Sequence, residues 1–191
     1  MMKLNNAILF LVGILCMSCG GETFPKPKAM LRLQYPEPIY VQADTPCFYI
    51  FEINELAKLK PVNKHNKCWY NLEYPQLHAK VYVSYYPIKN NLDSLLRDAQ
   101  NLTQEHVVKA DGIAQKPYVN DKQKVYGMFY EVTGNAASQA QFYVTDSVNH
   151  FITGSAYFDV RPNYDSILPA ANYLQNDIQH LMESIKWKTK D

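Results

Sequence analysis

The chain has 191 residues, with 19 basic and 18 acidic side chains and a formal net charge of +1. That balance offers neither a basic stripe for nucleic acid nor an acidic, solvating tail. Apolar residues make up 47% of the chain and aromatic residues 13%, which suits one domain with a proper core.

In chain order, Lys3 comes first and an apolar run from Ala7 to Met17 follows it, the layout of a secretion signal. A stable membrane span needs about 20 apolar residues, and this run is shorter. It stops at Ser18-Cys19-Gly20-Gly21, which resembles the bacterial lipobox. The resemblance implies cleavage after residue 18 and a lipid on the Cys19 sulfur, the nucleophile that takes the diacylglyceryl group. Cys16 stands three positions earlier, where the common pattern has Leu. An ordinary secretory signal or a short membrane anchor is the alternative. Cleavage would remove Lys3 as the only charge and leave 18 basic and 18 acidic residues. Two or three acyl chains on Cys19 would make anchoring lasting, since a single chain holds only marginally.

Residues 19–39, with Gly20, Gly21, Pro25 and Pro27 and then Tyr35-Pro36-Glu37-Pro38, read as an extended tether. Order is expected from about Tyr40, giving one globular domain over residues 40–191. Period-two alternation of Tyr, Phe, Val and Ile predicts strands at 47–52, 69–74 and 80–85, with a polar loop at 61–67. Asn90 or Asn91 offers an N-cap for an amphipathic helix of about five turns, carrying Leu92, Leu95, Leu96, Ala99, Leu102, Val107 and Ala110 on one face and stopping at Gly112. Strands at 116–119, 125–133, 141–145 and 151–158 follow. They are separated by turn residues at Asn120-Asp121, Gly134-Asn135 and 146–149, so consecutive antiparallel pairing is the economical arrangement. A last helix is expected from Asp165 or Ser166, with Pro169 in its first turn, to Lys186-Trp187-Lys188, whose charges suit a helix C-terminus.

The expected fold class is therefore α+β: an antiparallel sheet flanked by two long helices. The element order and the closing Glu183-Ser184-Ile185-Lys186-Trp187 resemble the Mog1/PsbP-like α/β sandwich. That likeness carries no function by itself.

With Cys16 in the signal and Cys19 lipidated, Cys47 and Cys68 are an even pair. In an oxidising compartment a structural disulfide is expected, stabilising by about 3 kcal/mol for a loop of this length. A redox-active pair is the alternative, and it favours Cys-x-x-Cys spacing. The histidines His65, His78, His106, His150 and His180 show no metal spacing, so no metal and no cofactor are expected. His106 reads as a packed residue, and His180 with Glu183 as a solvent-side pair. No nucleophile elbow or phosphate loop occurs, so no catalytic residue is assigned. Fifteen tyrosines read mostly as sheet faces. Ser94, Ser147 and Ser166 each sit in an Asp-Ser-apolar tripeptide. These resemble an O-glycosylation acceptor of Bacteroidota envelopes, but Asp-Ser is also ordinary cap and turn chemistry and all three sit at such places, which is the stronger reading.

A set of ordered fragments carries a wider resemblance. It runs from Pro25-Lys26-Pro27-Lys28 through Lys67-Cys68-Trp69, Ser84-Tyr85-Tyr86 and Asn90-Asn91-Leu92-Asp93-Ser94-Leu95-Leu96-Arg97-Asp98. It continues through His106-Val107-Val108-Lys109-Ala110-Asp111-Gly112-Ile113, Val125-Tyr126-Gly127, Gly134-Asn135-Ala136-Ala137-Ser138, Phe142-Tyr143-Val144-Thr145-Asp146-Ser147 and His180-Leu181-Met182-Glu183. In order and spacing these are similar to the gliding-motility lipoprotein D (GldD) family of Bacteroidota. The resemblance implies a non-enzymatic envelope component needed for gliding and for type IX protein secretion, with other proteins of that machinery as partners and the membrane reached through the lipid. A periplasm-facing position is expected, because Glu22 alone is a thin acidic export signal, and the choice of membrane stays open. The candidate partner interface is the small-residue turn Gly134, Asn135, Ala136, Ala137 and Ser138, with His106, Lys109 and Asp111 at the helix exit. The alternatives are a periplasmic module binding glycan or lipid, and an envelope hydrolase.

Overall fold

A computed structural model describes residues 33–62, 68–105, 108–159 and 163–188. Contacts divide the chain into Met1–Met30 and Leu31–Asp191, and every described residue belongs to the second unit. Cys19 and His106 lie outside the described residues.

The described residues form short strands β1 (Tyr40–Gln42), β2 (Tyr49–Ile50), β3 (Glu52–Asn54) and β4 (Lys58–Pro61), then β5 (Tyr70–Tyr74) and β6 (Ala79–Pro87). Helix α1 (Leu92–Gln104) follows, then β7 (Ala110–Asn120), β8 (Val125–Gly134), β9 (Ser138–Thr145) and β10 (His150–Phe158). Helix α2 (Tyr164–Ser184) and strand β11 (Lys186–Trp187) complete the order. The fold is α+β, and every strand pair is antiparallel. A seven-stranded sheet runs β4-β5-β6-β10-β9-β8-β7, beside two-stranded pairs β1-β3 and β11-β2.

Alternation explains why the long strands form. Along β5 every second residue is buried, so Tyr70, Leu72 and Tyr74 enter the core while Asn71 and Glu73 are half-buried. In β9 successive residues serve different partners. Ala140, Phe142 and Val144 join the main core with Leu174, Ile178, Leu181 and Met182 of α2. Gln141, pointing the other way, accepts a 2.8 Å hydrogen bond from Thr103 Oγ1 of α1. Phe142 lies so close over Gly154 of β10 that a Cβ there would overlap its ring.

Several expected boundaries move. Helix α1 ends at Gln104, with no glycine stop: Ala110, Asp111 and Gly112 open β7 and pair with Gly134 and Thr133 of β8 across a bulge. Leu102, expected on the apolar face, is exposed. Helix α2 starts at Tyr164, so Pro169 lies in its second turn and cannot donate the bond that Asp165's carbonyl would have received. It ends at Ser184, because Ile185 takes an extended backbone (φ −62°, ψ 131°) and Lys186–Trp187 pairs with Tyr49–Ile50 as a strand. Tyr35, expected in the tether, packs its ring 5.1 Å from that of Tyr173. The bond between Cys47 and Cys68 is made, with Cα atoms 5.5 Å apart. No helix of the described residues is long and apolar enough to cross a membrane.

Candidate functional site

Consecutive antiparallel pairing brings three connections to one end of the sheet: the β7–β8 turn at 121–124, the β9–β10 turn at 146–149 and the exit of β6 at 87–89. Strand β11 and the residue before β2 join them, and a cleft of about 710 Å³ opens between. Loops gathered at a sheet end, placed by a rigid scaffold, are where binding groups commonly sit.

Four rings line it: Phe48, Tyr85, His150 and Trp187. The His150 ring is stacked with Trp187 at 5.1 Å and with Phe48 at 6.1 Å, near-parallel to both. Its Nδ1 shares a 2.9 Å hydrogen bond with the Tyr85 hydroxyl. Three of the four are held through hydrogen bonds to backbone carbonyls. Trp187 Nε1 donates to the Lys124 carbonyl at 2.9 Å, Lys188 N donates to the Phe48 carbonyl at 2.8 Å, and Trp69 Nε1 donates to the Tyr85 carbonyl at 2.7 Å. The Cys47–Cys68 bond fixes the residue next to Phe48. Phe48 itself is 46% exposed, unusual for so large an apolar side chain beside a core.

Lys89, Lys122, Lys124 and Lys188 stand around these rings. Among the described residues none of the four is in an ion pair with a carboxylate. Lys188 Nζ donates to the Thr45 carbonyl at 2.8 Å. Among the described residues of the lining the one acid is Asp146, and it is occupied: Oδ1 accepts from the backbone N–H of Val148, Asn149 and His150 at 3.0, 2.8 and 2.8 Å. Partial burial would raise its pKa, but those three bonds together with the charge of His150 outweigh it and the pKa is lowered. Burial raises the Tyr85 pKa, and the Asp146 charge adds to that rise. The described residues of the cleft therefore offer ring faces and ammonium donors.

The sequence-predicted sites fall elsewhere. The Gly134–Ser138 turn lies at the other end of the strands, between β8 and β9. It is largely internal: Gly134, Ala136 and Ser138 are buried, while Asn135 and Ala137 are exposed. Asn135 Oδ1 accepts a 3.0 Å bond from the Tyr164 N–H, so it caps α2 from outside the helix. Bulky groups at Asn135 and Ala136 would thus disturb the fold rather than a free surface. Gly134 has φ +94° and approaches Asp111 so closely that a Cβ would strike its backbone nitrogen. Lys109 and Asp111 are exposed beside it. Ser94, Ser147 and Ser166 are all exposed, in the first turn of α1, the β9–β10 turn and the first turn of α2. His180 pairs with Glu52, at 2.8 Å, rather than with Glu183, which accepts from Gln179. Among the described residues no three His, Cys, Asp or Glu side chains are grouped to hold a metal.

The walls of the cleft come from points as far apart as Phe48 and Lys188, so no local pattern in the sequence marks it. The one local signal, Lys186-Trp187-Lys188, has the charge pattern of a helix end. A family model described as gliding motility lipoprotein GldD matches residues 20–187. No curated protein matches the chain.

Proposed function

The chain belongs to the gliding motility lipoprotein GldD family, and from that premise we propose that it is a lipid-anchored cell-envelope component that supports gliding motility and type IX protein secretion without catalysing a reaction. The family match across 168 residues, 20 to 187 inclusive, is the observation that supports this reading. In it Cys19 carries the lipid and the domain faces the periplasm beside other proteins of the same machinery, with Ser94, Ser147 and Ser166 as O-glycosylation acceptors. The Mog1/PsbP-like sandwich belongs to the same proposal, supported by β9 presenting alternate residues to α2 and to α1. Deleting the gene and restoring it with Cys19→Ser tests the anchor and the role together. The expected result is loss of colony spreading and of secreted surface protein in the deletion strain, with failed rescue by Cys19→Ser and release of that variant from membranes. Normal spreading and secretion in the deletion strain would end the proposal.

A second reading, a module binding an envelope glycan or lipid, draws on the cleft of rings and lysines.

A further inference from the structure

In the cleft at the end of the sheet the polar atoms of the rings are engaged within the protein. The Tyr85 hydroxyl shares its bond with His150 Nδ1, and Trp187 Nε1 donates to the Lys124 carbonyl, each at 2.9 Å. Phe48 has no polar atom, and its side chain is exposed. These three rings therefore give a ligand carbon surface. Polar recognition falls to the rest of the lining. Among the described residues, the side-chain amides of Gln123 and Asn149 and the ammonium groups of Lys89, Lys122 and Lys124 have no hydrogen-bond or ion-pair partner. All five residues are exposed. Lys188 donates to the neutral Thr45 carbonyl and keeps its charge. Among the described residues of the lining, four ammonium groups thus stand against one carboxylate, that of Asp146, which three backbone N–H groups already hold. Charges of one sign around low-dielectric rings concentrate the field on whatever enters.

We propose that this cleft binds an acidic saccharide, a short glycan with one sugar ring laid on Phe48 and its carboxylates met by Lys122 and Lys124. Each part of that ligand answers a feature of the lining. The faces of a sugar ring carry C–H groups, which suit carbon surface that offers no hydrogen bond. Its hydroxyls suit the Gln123 and Asn149 amides, which both donate and accept. Its carboxylates suit the ammonium groups, in charge-assisted bonds. A volume of about 710 Å³ lies within the range of about 300 to 1,000 Å³ common to small-ligand sites and admits a few linked sugars. An acyl chain fits worse, because among the described residues the aliphatic part of the lining is Pro87 and Ile88 alone. An acidic saccharide narrows the second reading above, on which it rests, from a glycan or lipid to a glycan of one charge.

Titrating the full chain in nonionic detergent with tetragalacturonate tests it against three controls. Maltotetraose has the sugar rings without the charge, acetylated tetraglutamate has the charge without the rings, and glycerophosphoglycerol is a lipid headgroup. Tetragalacturonate is expected to bind saturably, about tenfold or more tighter than any control, and to weaken with added salt. Phe48→Ala removes the ring and leaves the backbone carbonyl to accept from Lys188 N, while Lys122→Glu with Lys124→Glu reverses the charge of an exposed turn. Each should weaken tetragalacturonate about tenfold or more. Where Phe48→Ala fails to fold, the tetraglutamate control carries the test of the ring. No binding of tetragalacturonate, equal binding of maltotetraose or tetraglutamate, or undiminished binding in either folded variant overturns the proposal. Binding of glycerophosphoglycerol alone overturns it and leaves the second reading standing as a lipid module; binding of none of the four ends both.

Discussion

Gly127 and Gly112 sit one strand apart and differ in what a methyl group would meet. A Cβ on Gly127 would collide with the Tyr143 carbonyl oxygen and crowd Val144, both part of the neighbouring strand, whereas on Gly112 it would make an ordinary 3.4 Å contact with Thr133 Oγ1. Backbone cannot step aside as a flexible side chain can. Gly127→Ala is expected to cost about 1 to 3 kcal/mol and Gly112→Ala under about 0.5 kcal/mol, compared by urea unfolding. At Asp146 the expectation is a pH dependence. Its folded pKa is lowered by the bonds from Val148, Asn149 and His150 together with the charge of His150, against the opposing effect of burial. The stability it contributes is therefore complete above the unfolded value of about 3.9 and is lost as pH falls through the lower folded value. Amide exchange at those three residues should quicken over that window, and Asp146→Asn should remove the dependence. If exchange at those amides is indifferent to acid, the turn is not held by the carboxylate. None of these single-residue roles was legible in the chain order. Asp146 looked like turn chemistry, which it is, but its acceptor role became visible only once its three donors were placed.

At the scale of elements, the long strands were readable because alternation of apolar and polar residues is a local signal: 69–74, 80–85, 125–133 and 151–158 all lie in or beside observed strands. The pieces missed were β1, β4 and β11, of two to four residues each. Strands so short carry no periodicity, and they exist because a distant partner is there to pair with them. The overlong first helix failed for a related reason: its apolar spacing ran on into Ala110, which the sheet claims through β8. The same dependence makes the Cys47–Cys68 bond matter beyond its own loop, since it braces the start of β2, to which β11 pairs. Replacing both cysteines with serine should lower stability by about 2 to 4 kcal/mol, measured by denaturant unfolding. It should also raise proteolytic cleavage near Phe48. Equal stability with and without the bond would show that the β2–β11 pair holds itself.

Across the whole molecule, the uneven distribution of charge is what composition concealed. Basic and acidic residues nearly cancel over the chain, yet among the described residues four lysines surround one cleft whose single acid is engaged by backbone. The turn carrying Lys122 and Lys124 is exposed, so Lys122→Glu with Lys124→Glu should leave unfolding within about 0.5 kcal/mol of the parent. Binding to vesicles or glycans carrying negative charge should exceed binding to neutral ones, fall with added salt, and disappear in the double variant. Equal retention on charged and neutral surfaces would remove the cleft's claim to a ligand.

The pairing of Lys186–Trp187 with Tyr49–Ile50 also sets a timetable. Phe48 and Tyr85 precede Trp187 by 139 and 102 residues in the chain, so the two sides of the cleft meet only when distant segments have folded together. Until β11 pairs with β2 the cleft lacks a wall, and the exposed ring of Phe48 has no Lys188 backbone to meet. Whatever the cleft binds can therefore find only a copy in which that late, long-range pairing is made, so a partly folded copy is excluded from the encounter.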